Sequence, residues 1–162
     1  MPFRQHLLAA CTALGLVACS GVPVARTVAT AQPALTAQTL NSGGAMPAEQ
    51  ARVHFDHAEL HFTVEPARQS IQASATLSFT AKSATDVLLL DLDRNLPISG
   101  LDLDGKPLAA SAWSNPDGRL RIRLPAMLAA GGKLSVTIRY GGQPHVAKKA
   151  PWDGGFVWSH SA

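Results

Sequence analysis

Alternating apolar and polar residues are the dominant pattern in the central part of the chain. From Ile71 to Lys82, apolar side chains occupy every odd position and polar side chains every even one. The same period of two returns in Leu120–Leu124 and in Leu134–Tyr140. This period is typical of a strand with one buried and one solvated face. The pattern therefore predicts several half-buried strands.

Turn-forming residues separate these segments at short intervals. They occur at Asp104-Gly105, Asn115–Gly118, Gly131-Gly132 and Gly141-Gly142. One segment, Val87–Leu90, is apolar without a break, which predicts a strand covered on both faces. The best helical candidate, Ala126–Ala130, is long enough for only a single turn. We therefore expect an all-β domain whose antiparallel sheets form a saddle or a sandwich.

The first strand is predicted in residues 52 to 65. Its apolar face carries Ala58, Leu60, Phe62 and Val64, and its polar face carries His57, Glu59 and His61. Alternate strand positions lie about 6.6 Å apart, so two of these polar side chains could share a metal ion. A closed zinc site takes four ligands, and no cysteine or clustered histidine elsewhere completes the set. We therefore expect no metal site on this strand.

The N-terminus resembles the signal of a bacterial lipoprotein. Arg4 is followed by the apolar run Leu7–Ala18, which is shorter than the ~20 residues that span a bilayer. The sequence Leu16-Val17-Ala18-Cys19 resembles a lipobox. That resemblance implies that Cys19 is the lipid-modified first residue of the mature chain. The lipid on Cys19 would then attach the chain to the membrane. The alternative is an ordinary secretory signal that is cut after an alanine, with Cys19 incidental.

The lipoprotein signal also predicts a location and a domain organisation. Ser20 stands where an aspartate often retains such proteins at the inner membrane, so we expect an outer-membrane anchor facing the periplasm of a bacterial envelope. Beyond Cys19 the composition shifts to Ala, Thr, Gln, Pro, Ser and Gly, which favours a flexible spacer. The predicted organisation is a signal peptide in 1–18, a lipidated cysteine and tether in 19–50, and a β domain in 51–162.

Charge argues against a nucleic-acid partner. The net charge of the whole chain is only +3, too small for the electrostatic attraction that such binding requires. Arg119, Arg121 and Arg123 alternate with Leu120 and Ile122. This alternation indicates the solvated face of a strand rather than a basic patch.

Three ordered stretches resemble the beginning of an M1-family zinc metallopeptidase of the aminopeptidase N and leukotriene A4 hydrolase type. They are VHFDHAELHFTVE, VLLLDLDRNLPISGLDLDG and RLRIRLPAMLAAGGKLSVTIRYGGQPHVAKKAPWDGGFVWS, and together they fall within residues 52 to 159. The last stretch is the most specific because it orders two strands, a Tyr-Gly-Gly ending and a Pro-Trp-Asp-Gly-Gly-Phe run. The resemblance implies the saddle-like N-terminal β domain of that family. It also implies a parent activity, the removal of N-terminal residues from peptides by a zinc-bound water.

The sequence departs from that family where the chemistry is concerned. The family binds zinc through His-Glu-x-x-His and a more distant glutamate, and none of the six histidines begins that pattern. The family's Gly-Ala-Met-Glu-Asn segment has only a chance counterpart in GGAMPAE at residues 43 to 49, inside the predicted tether. No catalytic or metal-binding residue can be carried over. We expect no cofactor in this chain and zinc in the full-length family.

Aromatic residues are concentrated near the end of the sequence. Trp152, Phe156 and Trp158 fall within seven residues, together with a pair of glycines. These side chains could complete the core of the domain, form a contact with a catalytic domain, or provide a sugar-binding platform. Phe156 and Trp158 are expected to share one strand face. We take Trp152, Phe156 and Trp158 as the candidate interdomain contact.

Two classes of function follow from these observations. The first is the non-catalytic N-terminal β domain of a lipoprotein M1-type aminopeptidase, truncated so that the catalytic domain lies outside this sequence. The second is a free-standing periplasmic lipoprotein that binds a ligand or acts as an adaptor. A variant of the first is assembly with a separately encoded catalytic chain.

Overall fold

The computed structural model describes residues 45–150, 152 and 154–159. A short helix, α1, spans Ala48–Ala51, and 3-10 turns cover Pro66–Arg68 and Ala110–Ala112. The strands in the described residues are β1 Val53–Glu65, β2 Ser70–Ala81, β3 Thr85–Asp91, β4 Ile98–Leu103, β5 Lys106–Pro107, β6 Trp113–Ser114, β7 Arg119–Leu128 and β8 Lys133–Gly142. Strands dominate the domain, which confirms the predicted all-β class.

The strands form two antiparallel sheets. The larger has five strands in the order β1-β2-β8-β4-β5, and the smaller has three in the order β3-β7-β6. Asp104 and Gly105, which join β4 to β5, both have positive φ, at 48° and 74°. A tight hairpin requires such a conformation, and asparagine, aspartate and glycine adopt it most readily. The predicted turn is therefore confirmed at this position.

The hydrophobic core lies between the two sheets. Residues from both sheets contribute to one buried cluster: Phe79, Leu88, Leu101, Leu120, Ile122, Leu124, Leu134, Val136 and Ile138. The odd positions of β2 face inwards as the alternation predicts, with Ile71, Ala75 and Phe79 almost fully buried. Burial of apolar surface in this cluster is the main contribution to the stability of the domain.

Strand β3 is covered on both faces, as its unbroken apolar run predicts. The consecutive residues Leu88 and Leu89 point to opposite sides of the sheet, and both are buried. Leu88 belongs to the core, whereas the other face of β3 contacts α1. Glu49 of α1 forms a 2.8 Å ion pair with Arg121, and Gln50 donates a 2.9 Å hydrogen bond to Asp91. The last residues of the predicted tether are therefore helical and contact the sheet.

Two local details differ from the sequence-based expectation. Residues 126 to 128, which belong to the best helical candidate of the sequence, continue strand β7, because Leu128 pairs with Thr85 across an irregularity in the ladder. Strand β1 contains a bulge between Phe55 and His57. The extra residue reverses the parity of the strand, so that Phe55 lies on the same face as Ala58 and contacts Phe79 edge to face at 5.7 Å.

A bidentate ion pair links β4 to β8. The two terminal nitrogens of Arg139 each donate to one oxygen of Asp102 at 2.7 Å. These hydrogen bonds lower the pKa of Asp102 below its ordinary value and raise the pKa of Arg139. Gly100 makes room for the guanidinium, since a Cβ at this position would lie 3.0 Å from Nε of Arg139. Bidentate geometry is the arrangement in which a surface ion pair contributes most.

The lowered pKa of Asp102 predicts how stability responds to acid. Because the folded-state pKa lies below the unfolded one, the ion pair stabilises the fold fully above the unfolded pKa, about 4, and this stability disappears as pH falls through the folded pKa. Asp102→Asn is expected to make the urea midpoint less dependent on pH below about 4. Asp86→Asn, at an exposed position of β3, is the matched control. Identical acid profiles in the two variants would contradict the assignment.

Candidate functional site

The segment that contains the predicted contact residues is attached to the domain by a short parallel pairing. Phe156 lies beside Val146, which follows β8 in the chain. The amide of Phe156 donates to the carbonyl of His145 at 2.7 Å, and the amide of Ala147 donates to the carbonyl of Phe156 at 3.0 Å. These two hydrogen bonds hold residues 154 to 159 against the segment that follows β8.

Asp93 anchors the segment after β8 that receives this pairing. Its Oδ2 accepts a 2.8 Å hydrogen bond from the amide of His145, and its Oδ1 accepts one of 2.9 Å from the amide of Asn95. The carboxylate therefore joins the loop after β3 to the segment after β8. His145 itself is buried, which the sequence did not reveal. Residues 154 to 159 consequently pair with a backbone segment that Asp93 also holds in place.

Gly155 permits the close approach of the two segments. Its φ is +109°, in the region that favours glycine. A Cβ at this position would lie 2.7 Å from the carbonyl oxygen of His145 and 3.0 Å from the amide of Ala147. Both atoms belong to the pairing described above. The second glycine of the sequence pair is therefore the position at which any side chain would obstruct the pairing.

Two of the three candidate contact residues stack on each other, and the third is exposed. The rings of Phe156 and Trp158 are stacked, with centroids 5.5 Å apart and planes 24° from parallel. Each of the two is half-buried, whereas Trp152 is 80% exposed and Val157 is also exposed. We call Trp152, Phe156, Val157 and Trp158 the aromatic surface. It combines a partly packed aromatic pair with two large side chains that face solvent.

The polar face of β1 carries no metal-binding arrangement. His57, Glu59 and His61 are all exposed, and the only contact between them is a 3.0 Å pair between His61 and Glu59. Near the bulge, a hydrogen bond from Thr80 and a second from His54 lower the pKa of Asp56. Within the described residues, no group of three or more His, Cys, Asp or Glu is placed to hold a metal ion.

A shallow cleft on the smaller sheet was not predicted from the sequence. It has a volume of about 290 Å³, and its walls include Val87, Trp113, Ser114, Arg121 and Arg123. These residues come from three separate strands and meet only after the sheet has formed. Arg121 is paired with Glu49 at 2.8 Å, and Arg121 and Arg123 are both exposed to solvent.

The predicted lipidation site, Cys19, lies outside the described residues. Across the part of the chain that the structure does describe, no helix has the length and apolar character needed to cross a bilayer.

Comparison with solved structures finds proteins with a similar fold. The chain superimposes on part of an M1 zinc metallopeptidase from Deinococcus radiodurans, solved as a mutant bound to a Tyr-Ser-Ala substrate. The TM-score is 0.54 and the identity 21%, over 62% of this chain and 22% of the other. A two-domain M1 zinc metallopeptidase mutant bound to L-tryptophan gives a TM-score of 0.60 and 20% identity, over 69% of this chain and 26% of the other.

The fold is one found in M1 zinc metallopeptidases. The unmutated Deinococcus radiodurans enzyme also matches, with a TM-score of 0.51 and 21% identity over 57% of this chain and 21% of that enzyme. No protein-family profile and no curated protein sequence matches the chain. The resemblance to the N-terminal β domain of M1 enzymes is thus confirmed at the level of the fold. The chain spans only about a quarter of the length of these M1 structures.

Proposed function

We propose that this chain is the non-catalytic N-terminal β domain of a lipid-anchored M1-type zinc aminopeptidase, and that a catalytic domain in the same polypeptide lies outside these residues. The observation that carries the proposal is the structural match to M1 zinc metallopeptidases. It covers more than half of this chain but at most 26% of each M1 structure compared above. In this proposal the parent enzyme removes N-terminal residues from peptides.

The domain contributes structure to that enzyme rather than chemistry. The sequence contains no His-Glu-x-x-His, and the described residues provide no donor set for zinc. Zinc and its chemistry therefore belong, in this proposal, to the catalytic domain. In this proposal the catalytic domain packs against the β domain, whose core lies between its two sheets.

The aromatic surface supports an interdomain contact. Val157 exposes a large side chain on a segment whose backbone is fixed by hydrogen bonds to His145 and Ala147, and Trp152 exposes its ring beside a backbone hydrogen bond of its own, from its amide to the carbonyl of Lys149. Aromatic residues are enriched at protein interfaces because they bury much apolar area with few rotatable bonds. A preorganised segment also loses little entropy when a second domain packs on it. The catalytic domain is the partner that we assign to this surface.

Unpaired ring nitrogens in the same segment are a further supporting observation. Nε1 of Trp158 and Nε2 of His145 are buried, and neither has a hydrogen-bond partner in the described structure. Buried polar atoms in complete proteins are nearly always satisfied by protein groups or by water. A catalytic domain packed on the aromatic surface, or water enclosed at the junction, would provide those partners.

The lipid anchor is the second part of the proposal. The basic residue, the short apolar run and Cys19 occur in the order of a lipoprotein signal. A flexible tether of about thirty residues has a root-mean-square span of about 30 Å, which would hold the domain clear of the membrane surface. We propose an outer-membrane location facing the periplasm.

The test is the size and activity of the native protein. An antibody against this domain should detect a membrane-bound protein several times larger than 17.0 kDa, the mass of these residues. Immunoprecipitation with that antibody should recover an aminopeptidase activity that a zinc chelator abolishes and added zinc restores. A single band near 17 kDa with no associated activity would contradict the domain assignment.

Cys19→Ser provides the control for the anchor. This variant should leave the length of the translated product unchanged but move the protein from the membrane fraction to the soluble fraction, because a single cysteine carries the lipid. Ser20→Ala, at the adjacent position, should remain in the membrane fraction. A Cys19→Ser variant that stays in the membrane fraction would contradict the lipid anchor without affecting the M1 assignment.

A further inference from the structure

Strand β1 is an open edge of the larger sheet. It is 13 residues long, and within the described residues it pairs only with β2. From His57 to Glu65 this pairing is regular, and the single bulge lies nearer the N-terminus of the strand. One side of a long, regular backbone ladder is therefore available for another strand.

The edge also exposes an apolar row. Leu60, Phe62 and Val64 are 52%, 51% and 50% exposed, although they lie beside Ala75, Ala73 and Ile71 of β2. Ile71 and Ala75 are almost completely buried, whereas the β1 residues that contact the core, Val53 and Phe55, lie near the N-terminus of the strand. Natural edge strands usually discourage association with a lysine or a proline. Residues 57 to 65 of β1 contain neither, and the bulge, which can also protect an edge, lies before them.

We propose that β1 pairs in antiparallel fashion with β1 of a second copy of this chain, with the two-fold axis at Leu60. In this register Leu60 faces Leu60 of the second copy, Ala58 faces Phe62, and Glu59 faces His61. Each pair lies on one face of the joined sheet, because both strands alternate with a period of two. The result is a symmetric dimer with one continuous ten-stranded sheet.

Side-chain size and hydrogen bonding together favour this occupant over another partner. The large Phe62 meets the small Ala58, so neighbouring side chains on the apolar face fill space without collision. On the polar face the carboxylate of Glu59 meets the imidazole of His61, a combination already seen within one chain at 3.0 Å. Hydrogen-bonded and apolar pairs in directly facing positions stabilise antiparallel strands. The stretch Ala58–Phe62 is thus complementary to itself, and the proposal does not rest on the M1-type function.

Disulfide cross-linking tests both the dimer and its register. The full chain is prepared with Cys11→Ser and Cys19→Ser, and Leu60→Cys is then added. Facing residues in antiparallel strands have Cα atoms about 4.5–5.5 Å apart, which suits a disulfide. Leu60→Cys is therefore expected to give a covalent dimer on a non-reducing gel under mild oxidation.

Two control cysteine variants of the chain should remain monomeric. Ala58→Cys lies on the same face, but its copy in the second strand is four positions away, about 13 Å, which is too far for a disulfide. Met127→Cys occupies an exposed position of β7. Efficient cross-linking through Ala58→Cys, or equal cross-linking by all three variants, would overturn the proposed pairing.

Sedimentation equilibrium of the uncross-linked chain gives an independent measurement. Leu60→Lys places two like charges opposite each other at the two-fold axis and should raise the dimer dissociation constant by about tenfold or more. Met127→Lys should leave it unchanged. Glu59→Lys should weaken the dimer, and addition of His61→Glu should restore it by reversing the complementary pair. A chain that stays monomeric at about 100 μM, where even weak specific dimers form, would overturn the proposal.

Discussion

Replacing Leu120 with alanine is expected to lower the free energy of unfolding by about 3 to 4 kcal/mol. Leu120 lies on β7, is completely buried, and belongs to the cluster between the two sheets. The substitution removes apolar contacts and leaves a cavity that the two packed sheets cannot readily close. Urea denaturation, followed by far-UV circular dichroism, should show a lower midpoint with an unchanged slope.

Met127→Ala is the matched control on the same strand. Met127 is largely exposed, so truncating it should change the unfolding free energy by no more than about 0.5 kcal/mol. The contrast separates burial in the core from any general effect of alanine in β7. A Leu120→Ala loss below about 1 kcal/mol would show that the two sheets do not share the core described above.

The strands could be predicted from the sequence because side chains along a strand alternate between its two faces, so burial repeats every two residues. The alternation in Ile71–Ala81 predicts which side of β2 is buried, and the unbroken run Val87–Leu90 predicts coverage on both faces. The bulge at Phe55–His57 could not be predicted, because it becomes visible only when β1 is aligned with β2. Ala126–Ala130 looked helical because alanine favours helix, and strand pairing overrode that weak preference.

The candidate site was only partly predictable. The concentration of aromatic residues in a short stretch identified Trp152, Phe156 and Trp158 as candidates. The stacking of Phe156 on Trp158 agrees with the prediction that they share a face. The pairing of Phe156 with Val146 carries no local sequence signal, because parallel neighbours are recognised only by tertiary contacts. The burial of His145 depends on the same contacts. The sequence could therefore identify the segment but not the surface against which it rests.

Gly155→Ala is expected to release residues 156 to 159 from the domain while leaving the two sheets intact. The new Cβ would lie 2.7 Å from the carbonyl oxygen of His145, the acceptor for the amide of Phe156. This clash, together with a φ of +109°, should cost about 2 to 3 kcal/mol. Two backbone hydrogen bonds contribute about 1 kcal/mol each and cannot offset it.

Hydrogen exchange measures this release directly. In Gly155→Ala the amides of Phe156 and Ala147, which bond across the pairing, should lose protection by about thirtyfold or more, whereas amides of β7 and β8 should keep theirs. Gly154→Ala is the matched control. A Cβ at Gly154 meets no atom within 4 Å, and its φ of +55° lies in a region that other residues adopt at a cost of about 1 kcal/mol. Protection should therefore fall only about fivefold there.

The same pair of variants connects the local geometry to the proposed enzyme. If the aromatic surface contacts a catalytic domain, releasing it should loosen that contact in the parent protein, so Gly155→Ala should increase proteolytic separation of the two domains well beyond Gly154→Ala. The catalytic residues lie outside this chain in the proposal, so any loss of activity would report domain packing rather than altered chemistry. Equal proteolysis of the two variants, with the expected difference in hydrogen exchange, would show that residues 156 to 158 complete the β domain itself and contact no second domain.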